Sequence, residues 1–180
     1  MPPPARHPIL ARGTILTIVI IIAVVIVLII AAAFAFFGTL TSSRTAEGAL
    51  IGWVFSAGFG DSRGTADKTI AKAIGGQVYT DTEGWYESLF DMYRGNTRVN
   101  VNNLVMLDNE SLSISMIINA QAAIALLAVG YGISVEQYRY ASFQFTGLGY
   151  NDAKKTVGVL EVGSSWYVGY ATGVVDLGNI

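Results

Sequence analysis

Residues 14–37 read TILTIVIIIAVVIVLIIAAAFAFF, 24 positions without a charge. As a helix rising about 1.5 Å per residue the run covers about 36 Å, against about 30 Å of bilayer hydrocarbon. Its Ile and Val content favours a strand locally, but no strand in a globular core needs so long an apolar run. A helix buried in such a core would carry polar residues at some positions. The run therefore predicts one transmembrane helix over 14–37. It divides the chain into a tail (1–13), the span, a short linker (38–44) and a folded domain (45–180).

Orientation follows from the flanks. The tail MPPPARHPILARG holds Arg6, Arg12 and His7 and no acid. Without Arg6 and Arg12, the eleven basic residues fall to nine against thirteen acids beyond the run, a net of −4. Basic residues stay on the cytoplasmic side, so the tail is expected there and the domain outside the cytoplasm, in a single-pass arrangement at the cell membrane. The apolar run exceeds the usual core of a secretory signal, and no small-x-small cleavage site follows closely. Arg12-Gly13 directly before Thr14-Ile15-Leu16 resembles the class III signal of type IV pilins and archaeal filament subunits. That resemblance implies cleavage between Gly13 and Thr14, with the apolar helix becoming a filament core. Bacterial pilins carry a glutamate at the fifth mature position, where this chain has Ile18.

The domain of about 136 residues suffices for one core of its own. In Ala46, Ala49, Leu50, Trp53, Val54 and Ala57 the apolar residues recur at three- and four-residue spacings and predict a helix ended by Gly58, Gly60 and Asp61. A second helix is expected over 66–74, capped by Thr65 and stopped by Gly75-Gly76. Thr80 and Glu83 form a capping-box pattern for a third, with Trp85, Tyr86, Leu89, Phe90 and Tyr93 on one face and Gly95-Asn96 as its end. Beyond it, strands are expected over 98–107, 112–118, 122–134, 135–146, 156–162 and 166–170, with turns at 108–110, 147–152 and 163–165. Short loops make consecutive antiparallel pairing the economical layout. Residues 116–133 raise a second membrane crossing. Asn119, Gln121, Gly130 and Gly132 interrupt them, and a strand buried on both faces is the preferred account.

Three helices followed by a curved antiparallel sheet of four or more strands, an α+β class, resemble the NTF2-like (cystatin-like α+β) superfamily. The residues carrying the likeness are ALIGWVFSAGFGD (49–61), TEGWYESLFDMY (82–93) and VLEVGSSWYVGY (159–170), the last with Trp166-Tyr167-Val168 in the final hairpin. Membrane-anchored members include VirB8- and DotI-like assembly components of type IV secretion systems. The resemblance implies a helix-backed sheet used as a pocket or as a docking face. Function does not follow from such a fold alone.

The chain has no cysteine and one histidine, His7, in the tail. The domain therefore has no residues for a Ser-His-Asp triad, a cysteine nucleophile or a His/Cys metal cluster. Asp81, Glu83, Glu87 and Asp91 lie along the third helix, where a solvated acidic face is the plain explanation. Asp108-Asn109-Glu110 lacks the ligand spacing of a calcium loop and is a turn. Asn109-Glu110-Ser111 matches a glycosylation sequon. The glycines at 58–64, 75–76 and 147–149 match no phosphate-binding fingerprint. No cofactor or metal is expected. Net acidity argues against nucleic acid as a partner. Nine Tyr, eight Phe and three Trp remain the distinctive feature. Trp53, Trp85, Tyr138, Tyr140 and Trp166 are the candidates for an aromatic core or a docking face, and the sequence leaves both open. The expected function is a non-enzymatic interaction or assembly module of an envelope or surface complex. Its partners would be the bilayer and protein subunits, including other copies of the chain. Alternatives are a pilin-like filament subunit and a small-ligand pocket, the last with Asp91 as its inward carboxylate.

Overall fold

The structure, a computed structural model, describes residues 12–94 and 99–178. It divides into two compact units at Thr39 and Leu40. The first contains most of α1 (Arg12–Leu40), one helix of 29 residues enclosing the whole uncharged run. From Ile20 to Ile30 its large apolar side chains are about half exposed or more, as at Ile20 (54 %) and Leu28 (62 %).

The second unit is a mixed α+β domain. It opens with α2 (Ala46–Gly58), where Thr45 accepts a hydrogen bond from Gly48 N–H at 3.0 Å and so satisfies one of the helix's free donors. The second helix differs from expectation. Asp61 rather than Thr65 supplies the cap, and the segment breaks into α3 (Ser62–Ala66) and α4 (Ala71–Ile74). The break exists because residues 68–70 hydrogen-bond to the sheet edge and so leave the helical path. The stop at Gly75 stands, with φ at +72°. The third helix, α5 (Gly76–Met92), starts at once instead of at Thr80. Thr80 thus lies inside the helix, its hydroxyl donating to Gly76 C=O, and the capping box does not form. The Gly95-Asn96 stop and Arg98 lie outside the described residues.

The sheet has four antiparallel strands in the order β1 (Asn100–Leu107), β2 (Gln137–Gly147), β3 (Tyr150–Val162), β4 (Ser165–Val168). Short β5 (Tyr170–Ala171) and β6 (Val175–Asp176) pair separately. Between β1 and β2 comes the largest departure from the sequence reading. The strands expected over 112–118 and 122–134 are one helix, α6 (Ile114–Tyr131). Ser113 caps it by accepting from Met116 N–H, and Gly132, at φ +65°, closes it with its N–H on Ala128 C=O. The alternation at 112–118 is short, whereas Ala120, Ala122, Ala123, Ala125 and Ala128 bring the highest helix propensity. The run of 18 residues is also a helix's length rather than a strand's. By length and composition α6 qualifies as a membrane span, although Ala120, Ala123 and Leu127 are buried.

Successive residues of a strand face opposite sides. Ala141, Phe143, Phe145, Val157 and Val159 meet α2 and α5 in the main core, with Leu50, Trp53, Tyr86 and Phe90. Leu160 turns the other way, onto α6, Ile70, Val175 and Leu177. The sheet therefore has cores on both faces.

Candidate functional site

The two sheet edges are treated differently. At β4, Trp166 N–H donates to Ser43 C=O (2.6 Å) and Val168 N–H to Lys68 C=O (2.8 Å), while Val168 C=O accepts from Ile70 N–H (2.8 Å). Lys68 Nζ reinforces this cover by donating to Thr41 C=O at 2.9 Å and Ser43 Oγ at 3.3 Å. Burial holds the Lys68 ammonium below its ordinary pKa, partly offset by the Asp67 carboxylate. At β1, among the described residues, only β2 pairs with the backbone.

Exposed edges are usually blunted by charge, proline or a bulge. The sequence NVNNLVML of β1 has neither charge nor proline. It does have a bulge. Asn103 sits at φ +53°, the register shifts between Asn102 and Val105, and the Asn103 side-chain amide donates to that of Gln144. The bulge resets the side-chain phase, so that Val101, Leu104 and Met106 all reach the main core.

Beside this edge lies a groove of about 570 Å³ between α2 and β1. Ile51, Phe55 and Phe59 form one wall, Val99, Val101 and Leu104 the other, and among the described residues no charged one lines it. Phe59 is 74 % exposed and stacks at a tilt on Phe55, with 4.7 Å between ring centroids. These residues escaped the sequence reading, which followed only the Trp53 face of α2. The signal was present. Ile51, Phe55 and Phe59 recur every four residues on the opposite face, so this helix is apolar on two sides.

The aromatic candidates do not share one face. Trp53 is buried and its indole N–H donates to Tyr86 Oη at 2.9 Å. Burial raises the Tyr86 hydroxyl far above its ordinary pKa. Trp166 is buried in the same core. Trp85, 38 % exposed, packs on Tyr86 and Tyr170. Tyr140 is buried on the other side of the sheet and donates to Met116 C=O of α6 at 3.0 Å, with Tyr138 edge-on beside it. Gly13 and Thr14 fall in the first turn of α1.

A second cavity, of about 120 Å³, lies among Trp53, Trp85, Tyr86, Leu148 and Tyr170, with Asp176 at its margin. Asp91, the expected inward carboxylate, does not line it. Asp91 is exposed and pairs with Arg94 at 3.0 Å. Drug-sized ligands occupy about 300–1,000 Å³, so this space falls short of a binding pocket. Comparison of the chain with protein-family models, with curated proteins and with solved structures finds no match.

Proposed function

We propose that this protein is a single-pass, membrane-anchored interaction module whose extracytoplasmic α+β domain receives an extended, uncharged segment of a partner protein at the β1 edge. The carrying observation is the contrast between the edges, with β4 covered by the chain's own backbone and β1, among the described residues, paired only with β2 and lying beside an apolar groove. Strand addition takes affinity from main-chain hydrogen bonds and specificity from side-chain pockets, and the groove supplies the pockets. Burying an exposed phenylalanine contributes about 1.5–3 kcal/mol, so Phe59, 74 % exposed, gives such a segment a firm hold.

Anchoring rests on α1, a helix of 29 residues whose exposed apolar side chains call for lipid or another apolar surface. The basic tail and acidic domain support the orientation. Helices packed on a four-stranded antiparallel sheet suit the NTF2-like layout. The same unbroken α1 suits a filament subunit as a second reading. Mass spectrometry separates the two, since an N-terminus at Thr14 supports the filament and an intact Met1 removes it.

Docking is tested by placing a photoreactive phenylalanine analogue at Phe59 and, as a control, at Met92, which is also 74 % exposed. The expected result is one discrete adduct from position 59 whose cross-linked peptide is uncharged, absent from position 92 and lost when Ile51→Asp puts a charge in the wall. Equal adducts from both positions, or none from Phe59, would refute the docking site.

A further inference from the structure

We infer that α6 is a self-association face, on which two copies of this chain pair their α6 helices antiparallel about a two-fold axis near residues 121 and 122. The helix has no charged residue, and Ile114 (77 % exposed), Ile118 (57 %), Leu126 (45 %) and Val129 (91 %) stand out from it. At about 100° per residue, Ile114, Ile118, Ala125 and Val129 fall within one narrow arc. That arc lies opposite Ala120, Ala123 and Leu127, the buried residues of the helix, of which Ala123 and Leu127 join it to a core of the domain.

The arc is self-complementary. Antiparallel pairing about the midpoint sets Ile114 against Val129 and Ile118 against Ala125, so large residues meet large at the ends and a large meets a small further in. Gln121 and Ala122 meet their own copies at the axis. Isologous contacts require such reciprocity, and small residues near the centre let two helices approach closely.

Three occupants compete for this face. A bilayer surface favours helices rich in Lys and Arg, whereas α6 has none and is flanked by Asp108, Glu110 and Glu136. Crossing the bilayer would require Ala123 and Leu127 to leave their core and Tyr140 to lose its bond to Met116. A second copy meets neither obstacle. The domain is net acidic, so two copies repel except across an uncharged face. The three large side chains of the arc, Ile114, Ile118 and Val129, offer on the order of 400 Å² per copy, or about 800 Å² per pair, below the 1,200–2,000 Å² of stable interfaces. Such a pair is weak between free molecules and favoured between molecules confined to one membrane, where effective concentration is high.

The absence of native cysteine makes disulfide mapping clean. Full-length chains with one cysteine each, reconstituted in phosphatidylcholine vesicles, would be oxidised and their covalent dimers counted. Gln121→Cys or Ala122→Cys is expected to dimerise roughly tenfold faster than Ile114→Cys alone, because only near the axis do like residues come within disulfide reach. Ile114→Cys mixed with Val129→Cys is expected to cross-link where each alone does not. Every substituted residue is exposed, and unchanged circular dichroism verifies folding. Equal rates at all positions, or an Ile114 homodimer, would overturn the antiparallel pair. Absence of dimer at both 121 and 122 would overturn self-association, and lipid-dependent shielding of those cysteines from a water-soluble maleimide would then assign the face to the bilayer.

Discussion

Replacing Tyr86 by Phe removes one oxygen atom and isolates one buried proton. Trp53 and Tyr86 are each only 2 % exposed, so the indole N–H loses its acceptor at 2.9 Å inside the core, away from bulk solvent. An unpaired buried donor costs about 1–3 kcal/mol, and the ring itself stays to fill its space. For a domain of this size each kcal/mol moves the midpoint by several degrees, so a fall of about 3–12 °C is expected in Y86F. Full-length protein in a mild detergent, melted while near-ultraviolet circular dichroism follows the aromatic packing, gives the measurement. The companion Trp53→Phe removes the donor and leaves a small cavity. In the double variant nothing remains unpaired, so its loss should be smaller than the sum of the single losses by about 0.5–3 kcal/mol. Additive losses, or a Y86F midpoint within a degree of the parent, would show that the bond does not hold α2 to α5.

Other consequences are equally direct. A methyl group at Gly158 would stand 2.9 Å from Leu177 Cβ and 3.3 Å from Tyr140 Cε1, so Gly158→Ala should cost about 1–3 kcal/mol by overpacking, read from the same melt. Phe143 is buried where β2 meets the helices, and Phe143→Ala should cost about 3–5 kcal/mol and expose surface that binds a hydrophobic dye. Tyr79 is pushed up to about 12 by burial and by donating to Asp67 at 2.9 Å. Its stabilisation is complete below the ordinary tyrosine value of about 10 and lost as pH rises from there through 12. Tyr79→Phe should therefore flatten the decline in stability across that alkaline window relative to the parent chain.

The elements legible in the sequence were those whose apolar residues mark one face only. The Tyr86 and Phe90 stripe of α5 is one. Period becomes ambiguous where both faces are apolar. In α6 the serines at 113 and 115 among Leu112, Ile114 and Met116 imitate a strand, and the alanines that specify a helix carry no facial contrast. The Phe55 and Phe59 wall of α2 was hidden similarly, behind the more conspicuous Trp53 face. The position of β1 at the sheet edge was not legible at all. It depends on which strand lies outermost, and that is fixed by pairings between residues about 45 apart, such as Asn100 with Thr146. The split of α3 from α4 likewise follows from bonds to Val168, far along the chain.

The stitch from Ser43 to Trp166 makes the domain a poor shock absorber. Residues just past α1 are clamped by Lys68 and then bonded into β4. Tension applied along the chain at Thr41 would meet this clamp, with no slack leash to take it up. The bonds of Lys68 and Trp166 then share such a pull before it reaches the main core.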